Sequence, residues 1–540
     1  MGSEQAAAVL TDATGWSAWS AMAVAVLALV PAGSRWLRVA QREHYLPGAP
    51  TRFALRWWSS RPANAGLLLA GVAGIALAFR WPLGALVTVA VAAVGPLHLS
   101  VRGRTAALAP TRRLRSLAAG WLVLEAAVLA LGALVGTPAP AAAASVLLVP
   151  VLVDVAAWVL APVERRLGGR FVTEATGRLR TVGPTIVGVT GSYGKTSTKN
   201  HIAHLAGGTR SIVASPASFN NRSGLARAVN EQLADGTEVF VAEMGAYGPG
   251  EIAELCRWCP PEIAVITAIG PVHLERFRSE ERIVAAKSEI LVTAGTVVLN
   301  VDDRRLADLA DRLRGASGSK VVVRCSSVDD MADVLVRRVG GSLSFSLAGR
   351  CVAAGIAAPG GAQPTNLACA AAVALALGVP EDVVAARLGS VPSVPSRLTS
   401  ARAPSGVLVI DDTFNANPAG ARAALELLAR SGAAGRRVVV TPGMVELGPA
   451  QAVENRAFAE QAGEVASDLI VVGRTNRRSL LQGAAARGPG APAGPGVRHA
   501  PGAMSVRCAT TRDEAVTWVR EHLGDGDVVL YENDLPDHYP

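Results

Sequence analysis

Only four lysines occur in this chain of 540 residues, which carries 52 lysines and arginines together. Lys195 and Lys199 share the stretch Thr190-Gly191-Ser192-Tyr193-Gly194-Lys195-Thr196-Ser197-Thr198-Lys199. Lys287 lies in Ala286-Lys287-Ser288-Glu289-Ile290, and Lys320 stands outside any motif. Lysine is a compact point charge with a titratable amine, which arginine is not. A lysine kept in a chain that otherwise writes arginine marks chemistry a guanidinium cannot do. The first cluster has the form of a phosphate-binding loop between a strand and a helix. Backbone N–H groups of Gly191, Ser192 and Gly194 and the helix N-terminus would hold phosphates, with Ser197 in the same first turn. Lys195 would reach the terminal phosphates and the Thr196 hydroxyl would reach Mg²⁺. Val189 stands where the strict pattern has glycine. That departure points to a specialised form of the loop. Lys320 is expected to be plain surface, and Lys199 has no assigned task.

Two further residues suit metal and phosphate. Glu243 ends an apolar run and precedes Gly245, which puts a carboxylate at the C-terminal edge of a parallel sheet, where ligands collect in open α/β folds. His273 follows the next apolar run in the same way. Mg²⁺ prefers oxygen ligands, so His273 taken alone reads as structural as readily as a ligand.

The elements that position these residues begin near residue 180. Short β-branched runs (Thr185–Thr190, Glu238–Met244, Glu262–Ile269, Thr296–Asn300, Val407–Ile410 and Arg437–Thr441) alternate with Ala/Leu-rich helical stretches. That alternation predicts βαβ units and a parallel sheet. Gly483–Met504 is rich in Gly, Ala and Pro and reads as a mobile surface insertion. No internal repeat is visible. Cys256 and Cys259 form the one CxxC among six cysteines. With no second pair to complete a zinc site, they read as reduced thiols at a helix end.

Residues 1–170 differ in kind. Apolar runs occur near 16–34, 63–79, 82–100, 117–136 and 144–163, each close to the roughly 20 residues that span a bilayer. The first lacks the basic n-region of a signal peptide. This segment holds 15 arginines and six acids, so it carries the whole +9 net charge of the chain. A basic excess confined to the flanks of apolar runs argues for a membrane surface and against nucleic acid. Arginines crowd the loops after runs one and three and follow run five, while the other side holds only Arg80. By the positive-inside rule, five spans place the N-terminus outside and everything after residue 165 in the cytoplasm. The expectation is a multi-pass protein of the plasma (inner) membrane. Glu125 and Asp154 fall inside runs four and five. Intramembrane carboxylates are functional candidates, set here against pairing with arginine or a shallow, wetted position.

From about residue 183 to 475 the motifs, in order, resemble the Mur ligase superfamily, closest to its MurF branch. Thr190–Thr198 is similar to the family's phosphate loop, and Ser218-Phe219-Asn220-Asn221 with Gly224 to its Asn-Asn-x-x-Gly segment. Glu243-Met244-Gly245, His273-Leu274-Glu275 and Ala286–Ile290 resemble its glutamate, histidine and lysine motifs. Asn300-Val301-Asp302 resembles the adenine-contacting segment, and Asn366 begins a similar Asn-centred helix. Arg397, Asp411–Pro418 (with Asp412, Asn415 and Asn417) and Gly443–Gly448 continue the match. The apolar runs set off a membrane region at 1–170, and the resemblance implies a central P-loop ATP-binding domain at 171–395 and a Rossmann-like C-terminal domain at 396–540. It implies an ATP-dependent ligase that joins a small-molecule or lipid-linked carboxylate to an amino-acid or peptide amine through an acyl phosphate. Lys195, Lys287, His273 and Arg397 would be catalytic. Thr196, Glu243, His273 and Lys287 would hold Mg²⁺, Lys287 as a CO₂-derived carbamate that only a neutral amine can form. Asn300, Arg397, Asp412, Asn415 and Asn417 would join the phosphate loop in binding ATP, with domain closure bringing the last four in.

Three departures limit what carries over. Membrane runs stand where the family has a domain for the UDP-muramoyl substrate. The family's Pro-Gly-Arg-His-Asn run is Pro359-Gly360-Gly361-Ala362-Gln363 here. Where the family has a basic Lys-Gly-Ser loop, this chain runs Tyr531-Glu532-Asn533-Asp534-Leu535-Pro536-Asp537, which reads as a site for an amine more cationic than D-alanyl-D-alanine, or one without its free carboxylate, or else as an acidic solvated tail. Work in cell-envelope assembly, a ligase of the poly-γ-glutamate or specialised-peptide kind, and an ATP-gated transporter or sensor are the readings left open. A partner from envelope biosynthesis, an ATP-grasp enzyme among the candidates, stays unassigned.

Overall fold

The computed structural model describes residues 2–99, 108–216, 219–272, 274–316, 318, 320–359, 361–392, 394, 398–414, 416–431, 435–486 and 504–533. The chain divides into two compact units, one through Leu167 and one from Gly168. The expected boundary at 170 falls inside a single helix, Val149–Val182.

The first unit is helical. Among the described residues, Ser17–Arg42 and Arg112–Leu134 are each long and apolar enough to cross a bilayer. Ala49–Ser59 with Pro62–Ala78, bent by 112°, and Pro138–Leu147 with Val149–Val182, bent by 75°, bring the total to four if each pair is one span. The third apolar run folds as the shorter segment Pro82–Val94, because Gly95 and Pro96 end its helix. Its core is apolar, and large apolar side chains also cover its surface. Leu27, Val30, Leu69, Val123, Leu134 and Trp158 are all exposed. The Arg35 guanidinium is buried and donates to the carbonyls of Ala92, Ala93, Val94 and Gly95, so it caps the C-terminus of Pro82–Val94. Asp154 caps the opposite kind of end. It accepts from Gly48 N at 2.8 Å, Thr51 N at 2.9 Å and the Thr51 hydroxyl, at the N-terminus of Ala49–Ser59. Glu125 is buried and accepts from Trp121 Nε1 at 2.8 Å. Both carboxylates therefore meet neutral donors, and among the described residues neither is ion-paired to arginine.

The second unit holds two sheets. The central sheet, counted over the described residues, has nine strands: β1 Thr185–Thr190, β2 Ile212–Ala214, β3 Val239–Glu243, β4 Ile263–Ile266, β5 Thr296–Asn300, β6 Val321–Ser326, β7 Val334–Val339, β8 Ser342–Leu347 and β9 Arg350–Ala357. Their order is β2-β3-β1-β4-β5-β6-β7-β8-β9, parallel through β7 and antiparallel beyond. Strand pleating sends alternate residues to opposite faces. Val187, Val189, Val239, Val241 and Val265 enter one apolar layer, with the alanine-rich helix Pro364–Ala376. Ile186, Phe240, Ala242, Ala264 and Ile266 enter the other. Both faces are covered, so the strands read as unbroken apolar runs, as buried parallel strands do. Strand order reverses about β1, between β3 and β4, and a ligand crevice opens at such a switch point.

The C-terminal sheet contains β10 Thr399–Arg402, β11 Leu408–Asp412, β12 Arg437–Thr441, β13 Asp468–Val472, β14 Ser505–Ala509 and β15 Val528–Glu532, in the order β10-β11-β15-β12-β13-β14. All pairs are parallel except β10 with β11. Gly483 belongs to the helix Arg477–Ala486, so the Gly/Ala/Pro-rich stretch begins later than its composition suggested; residues 487–503 lie outside the described set. Cys256 and Cys259 are buried free thiols at the end of Glu251–Trp258, as expected. Lys320 is not plain surface. Its ammonium donates to the carbonyls of Leu291 at 2.8 Å and Ala294 at 2.6 Å, closing a turn whose carbonyls have no helical partner.

The loop after β12 is held by Asn455, which is fully buried. Its amide accepts from Met444 N at 2.8 Å and donates to the carbonyls of Met444 and Gln451 at 2.9 and 2.8 Å. That loop reaches the central domain, where Leu274 N donates to Glu446 O at 3.1 Å. Replacing Asn455 by alanine strands buried backbone groups and should cost about 2–4 kcal/mol. The measurement is the urea midpoint of the full chain; an unchanged midpoint refutes the clamp.

Candidate active site

The phosphate loop is shaped by contacts that leave no room for side chains. Gly194 has φ of 77° and starts the helix Lys195–Ala206. A Cβ there would lie 2.4 Å from Asn366 Oδ1, so Asn366 packs directly on the loop. Gly191, with φ of 149°, faces the Thr267 hydroxyl in the same way. The loop is also tied to the segment after β4. Ser192 N donates to Ala268 O at 2.8 Å, and Gly270 N donates to Ser192 Oγ at 3.0 Å. The Lys195 ammonium folds over the loop and donates to Gly191 O at 2.7 Å and Ser192 O at 3.3 Å. It is thus poised above the N–H groups that a helix N-terminus leaves unsatisfied, an arrangement suited to anions. Ser197 is half-buried in the first turn of that helix.

Glu243 ends β3 at the switch point and is 2% exposed. One oxygen accepts from Thr196 Oγ1 at 3.0 Å and from Lys199 Nζ at 3.2 Å. The other accepts from Asn220 Nδ2 at 3.2 Å. Burial alone would raise its proton affinity. The charges of Lys199 and Lys195, with the hydrogen bonds, outweigh that and hold the carboxyl below its ordinary value. Lys199 is the partner that sequence reading left without a task. The available signal was spacing: it sits four residues after Lys195 and three after Thr196, on one helix face.

Lys287 lies in the last turn of Glu280–Ser288 and is 4% exposed. Burial first, then the charge of Lys195, lowers its amine to about 7. It shares a cleft of about 370 Å³, partly open to solvent, with Gly191, Ser192, Lys195, Asn220 and Tyr247. The structure therefore brings the phosphate loop, Lys195 and Lys287 to one cleft, with Thr196 and Glu243 joined to it through Asn220.

Other expected residues lie elsewhere or carry fold contacts. Asn300 is buried and donates to Thr267 O at 2.9 Å, which pins the strand ends beside the cleft. Asp412 accepts from Leu398 N at 2.9 Å. Asn417 caps the helix Pro418–Arg430 by accepting from Gly420 N at 2.9 Å. His273, Arg397 and Asn415 lie outside the described residues. Among the described residues, no three His, Cys, Asp or Glu side chains converge as a metal cage. The donors that do meet, a hydroxyl and a carboxylate beside a phosphate loop, fit Mg²⁺, which binds through one or two protein oxygens plus substrate phosphates.

Comparison with known proteins agrees with this geometry. Residues 189–374 match the Mur ligase middle domain, and residues 396–531 match the Mur ligase, glutamate ligase domain. The UDP-N-acetylmuramoyl-tripeptide–D-alanyl-D-alanine ligase of Mycobacterium tuberculosis (strain ATCC 25618 / H37Rv) is 35% identical over 381 residues, covering 67% of this chain and 72% of that protein. The Bacillus subtilis ligase of the same name is 29% identical over 297 residues, covering 54% of this chain and 62% of its own. The crystal structure of MurF ligase from Thermotoga maritima in complex with ADP aligns with a TM-score of 0.57 at 25% identity, over 68% of this chain and 80% of that one. Neither domain match includes residues 1–188. The chain belongs to the Mur ligase family and is an ATP-dependent ligase that forms an amide bond.

Proposed function

We propose that this ligase is a membrane-anchored, MurF-like enzyme that activates a carboxylate as an acyl phosphate and passes it to an amine. The observation that carries the reading is the single cleft shared by Lys195, Lys287 and the phosphate loop, with Glu243 held beside it by Thr196 and Lys199. Lys195 positions the terminal phosphate and offsets charge on the transferring group. Thr196 and Glu243 would hold Mg²⁺, which supplies Lewis-acid neutralisation of the phosphates when bound. Lys199 keeps Glu243 ionised and in place. Lys287, buried and easily made neutral, is the amine that can take up CO₂ and present a carbamate oxygen to metal. His273 and Arg397 are assigned to metal and terminal phosphate by family motif, and Asn300, Asp412, Asn415 and Asn417 to the nucleotide side in the same way.

The relatives' names specify a UDP-N-acetylmuramoyl tripeptide and D-alanyl-D-alanine. We assign this chain the same class of reaction on an envelope peptide, soluble or lipid-linked. A poly-amino-acid ligase is the second reading, favoured by residues 1–188 standing outside the family match. Anchoring is supported by the many large apolar side chains exposed on the first unit and by its long apolar helices. The arginine distribution supports a plasma-membrane location with the ligase unit cytoplasmic. The N-terminus lies outside if all five apolar runs cross.

Three measurements test this reading. Purified full-length protein should release phosphate from ATP only when a carboxylate and an amine are both present. Lys195→Ala should lower the rate on the order of 10³-fold; ATP hydrolysis indifferent to either substrate would favour a gated transporter or sensor. Protein equilibrated with ¹³CO₂ should show a carbamate NMR signal that Lys287→Ala removes. Neutral amine accumulates as pH rises through about 7, so the signal should grow across that range and fade below it. A Lys287→Arg variant with full activity would end the carbamate assignment. Lys199→Met leaves Glu243 as an uncompensated buried charge and should cost roughly 3–5 kcal/mol in thermal unfolding. Mg²⁺ with a non-hydrolysable ATP analogue should restore more stability to this variant than to the wild type, and equal shifts would contradict Glu243 as a metal ligand.

A further inference from the structure

The C-terminal sheet ends in an open edge. β14 pairs with β13 on one side, and among the described residues no strand pairs with it on the other. Ser505 N donates to Ser467 O at 2.9 Å, and Gly473 N donates to Ala509 O at 3.0 Å. Residues 505, 507 and 509 therefore turn their backbone groups to β13, and the N–H and C=O of Val506 and Cys508 face away from the sheet. Ser505, Val506, Arg507 and Cys508 are all exposed, whereas 468–471 of the neighbouring β13 are buried. Edge strands are commonly blunted by proline, by an outward lysine or by a bulge. β14 has neither proline nor lysine, and its register with β13 runs unbroken through five residues.

A groove lies along this edge. A cleft of about 580 Å³, open to solvent, runs between β14 and the helix Arg512–His522. Arg507 lines it from the strand, and Glu514, Thr517, Trp518 and Glu521 line it from the helix. Spacings of three and four residues put Glu514, Thr517 and Glu521 on one helical stripe, with a carboxylate at each end. Trp518 is fixed by its neighbours. The His522 ring stacks on it at 4.6 Å, and the guanidinium groups of Arg436 and Arg507 lie 5.1 and 5.4 Å from its ring centre. The cations here are already engaged, Arg436 by Asp468 at 3.0 Å and Arg507 by the indole. Glu514 accepts from Thr510 N at 2.6 Å. Glu521 is exposed and, among the described residues, has no ion-pair partner. The helix wall is thus acidic, and it faces a row of unpaired backbone groups.

Those are the two halves of a strand-addition site, where main-chain hydrogen bonds give affinity and flanking side chains select sequence. A small molecule would leave the backbone row unused, and a nucleic acid would meet two carboxylates. We propose that the groove between β14 and Arg512–His522 docks an extended, basic peptide segment of a partner protein, which joins the C-terminal sheet beside β14. Its backbone pairs with Val506 and Cys508. Alternate side chains enter the groove, where an apolar one covers Trp518 and a lysine or arginine meets Glu521.

The test is fluorescence anisotropy of a labelled hexapeptide of alternating valine and lysine, titrated with the full chain. The valine–glutamate hexapeptide is its control. The lysine peptide should bind and the glutamate peptide should not; equal binding of the two overturns the proposal. Val506→Pro removes an outward N–H and no bond to β13, so it should weaken binding roughly tenfold or more at an unchanged melting temperature. Glu521→Lys reverses the charge on the helix wall and should weaken binding roughly threefold to tenfold. If Val506→Pro melts early, Glu521→Lys decides alone. Binding of the lysine peptide that neither substitution weakens overturns the proposal. So do two other results: binding that appears only once residues 487–503 are deleted, which puts the chain's own segment on the edge, and a dimer that Val506→Pro dissociates, which puts a second copy there.

Discussion

One buried carboxylate, Glu243, organises the catalytic half of this protein. It ends the strand that borders the switch point of the central sheet, and it is nearly inaccessible to water. A charge in that position persists only if donors surround it. Thr196 and Lys199 come from the helix that begins at the phosphate loop, and Asn220 comes from the loop before the helix Arg222–Gln232. Satisfying Glu243 therefore sets the helix that presents Lys195 and holds the two cleft walls together. The pair with Lys199 is stored tension as much as support, because desolvation offsets much of the attraction between buried ions.

Lysine chemistry follows from the same electrostatics. Lys195 and Lys287 line one cleft, Lys199 is buried against Glu243, and the three have unequal surroundings. Lys199 has a carboxylate within hydrogen-bonding distance, and Lys195 leans on carbonyls of its own loop. Lys287 is buried and feels the Lys195 charge, so its amine is lowered to about 7. Three lysines of one sequence thus take three different electrostatic roles through burial and neighbours. Arginine, effectively always charged, could fill at most the first two.

In the helical unit, two charged residues enter an apolar body at helix ends. Arg35 is matched to four carbonyl oxygens at a helix C-terminus and Asp154 to N–H donors at a helix N-terminus. Each charge meets the end of the helix dipole that suits it. Short, broken helices such as Ala49–Ser59 and Pro82–Val94 can then sit among longer ones, because their free ends are satisfied by side chains from other helices. That is why hydropathy alone saw five uniform runs where the structure has two long helices, two bent pairs and one short segment.

Much of the fold was legible in the chain itself. β1, β5 and β12 have the bounds their β-branched runs foretold, and the glycines, Lys195 and Thr196 marked the phosphate loop before any coordinates. These are local signals: strand periodicity, a tight turn and a helix start need only neighbours in sequence. The partners of those residues were not legible. Lys199 meeting Glu243, Asn366 packing on Gly194, and Leu274 N meeting Glu446 O all join residues more than forty positions apart. Lys320 was read as surface because nothing near it in sequence needs a cation, although carbonyls some 26 to 29 positions away do. What the sequence by itself determined was which groups the chain has to spend on chemistry. Only the tertiary structure decided which of them lose water, because burial beside a particular neighbour is what lowers the Lys287 amine and holds the Glu243 carboxyl ionised.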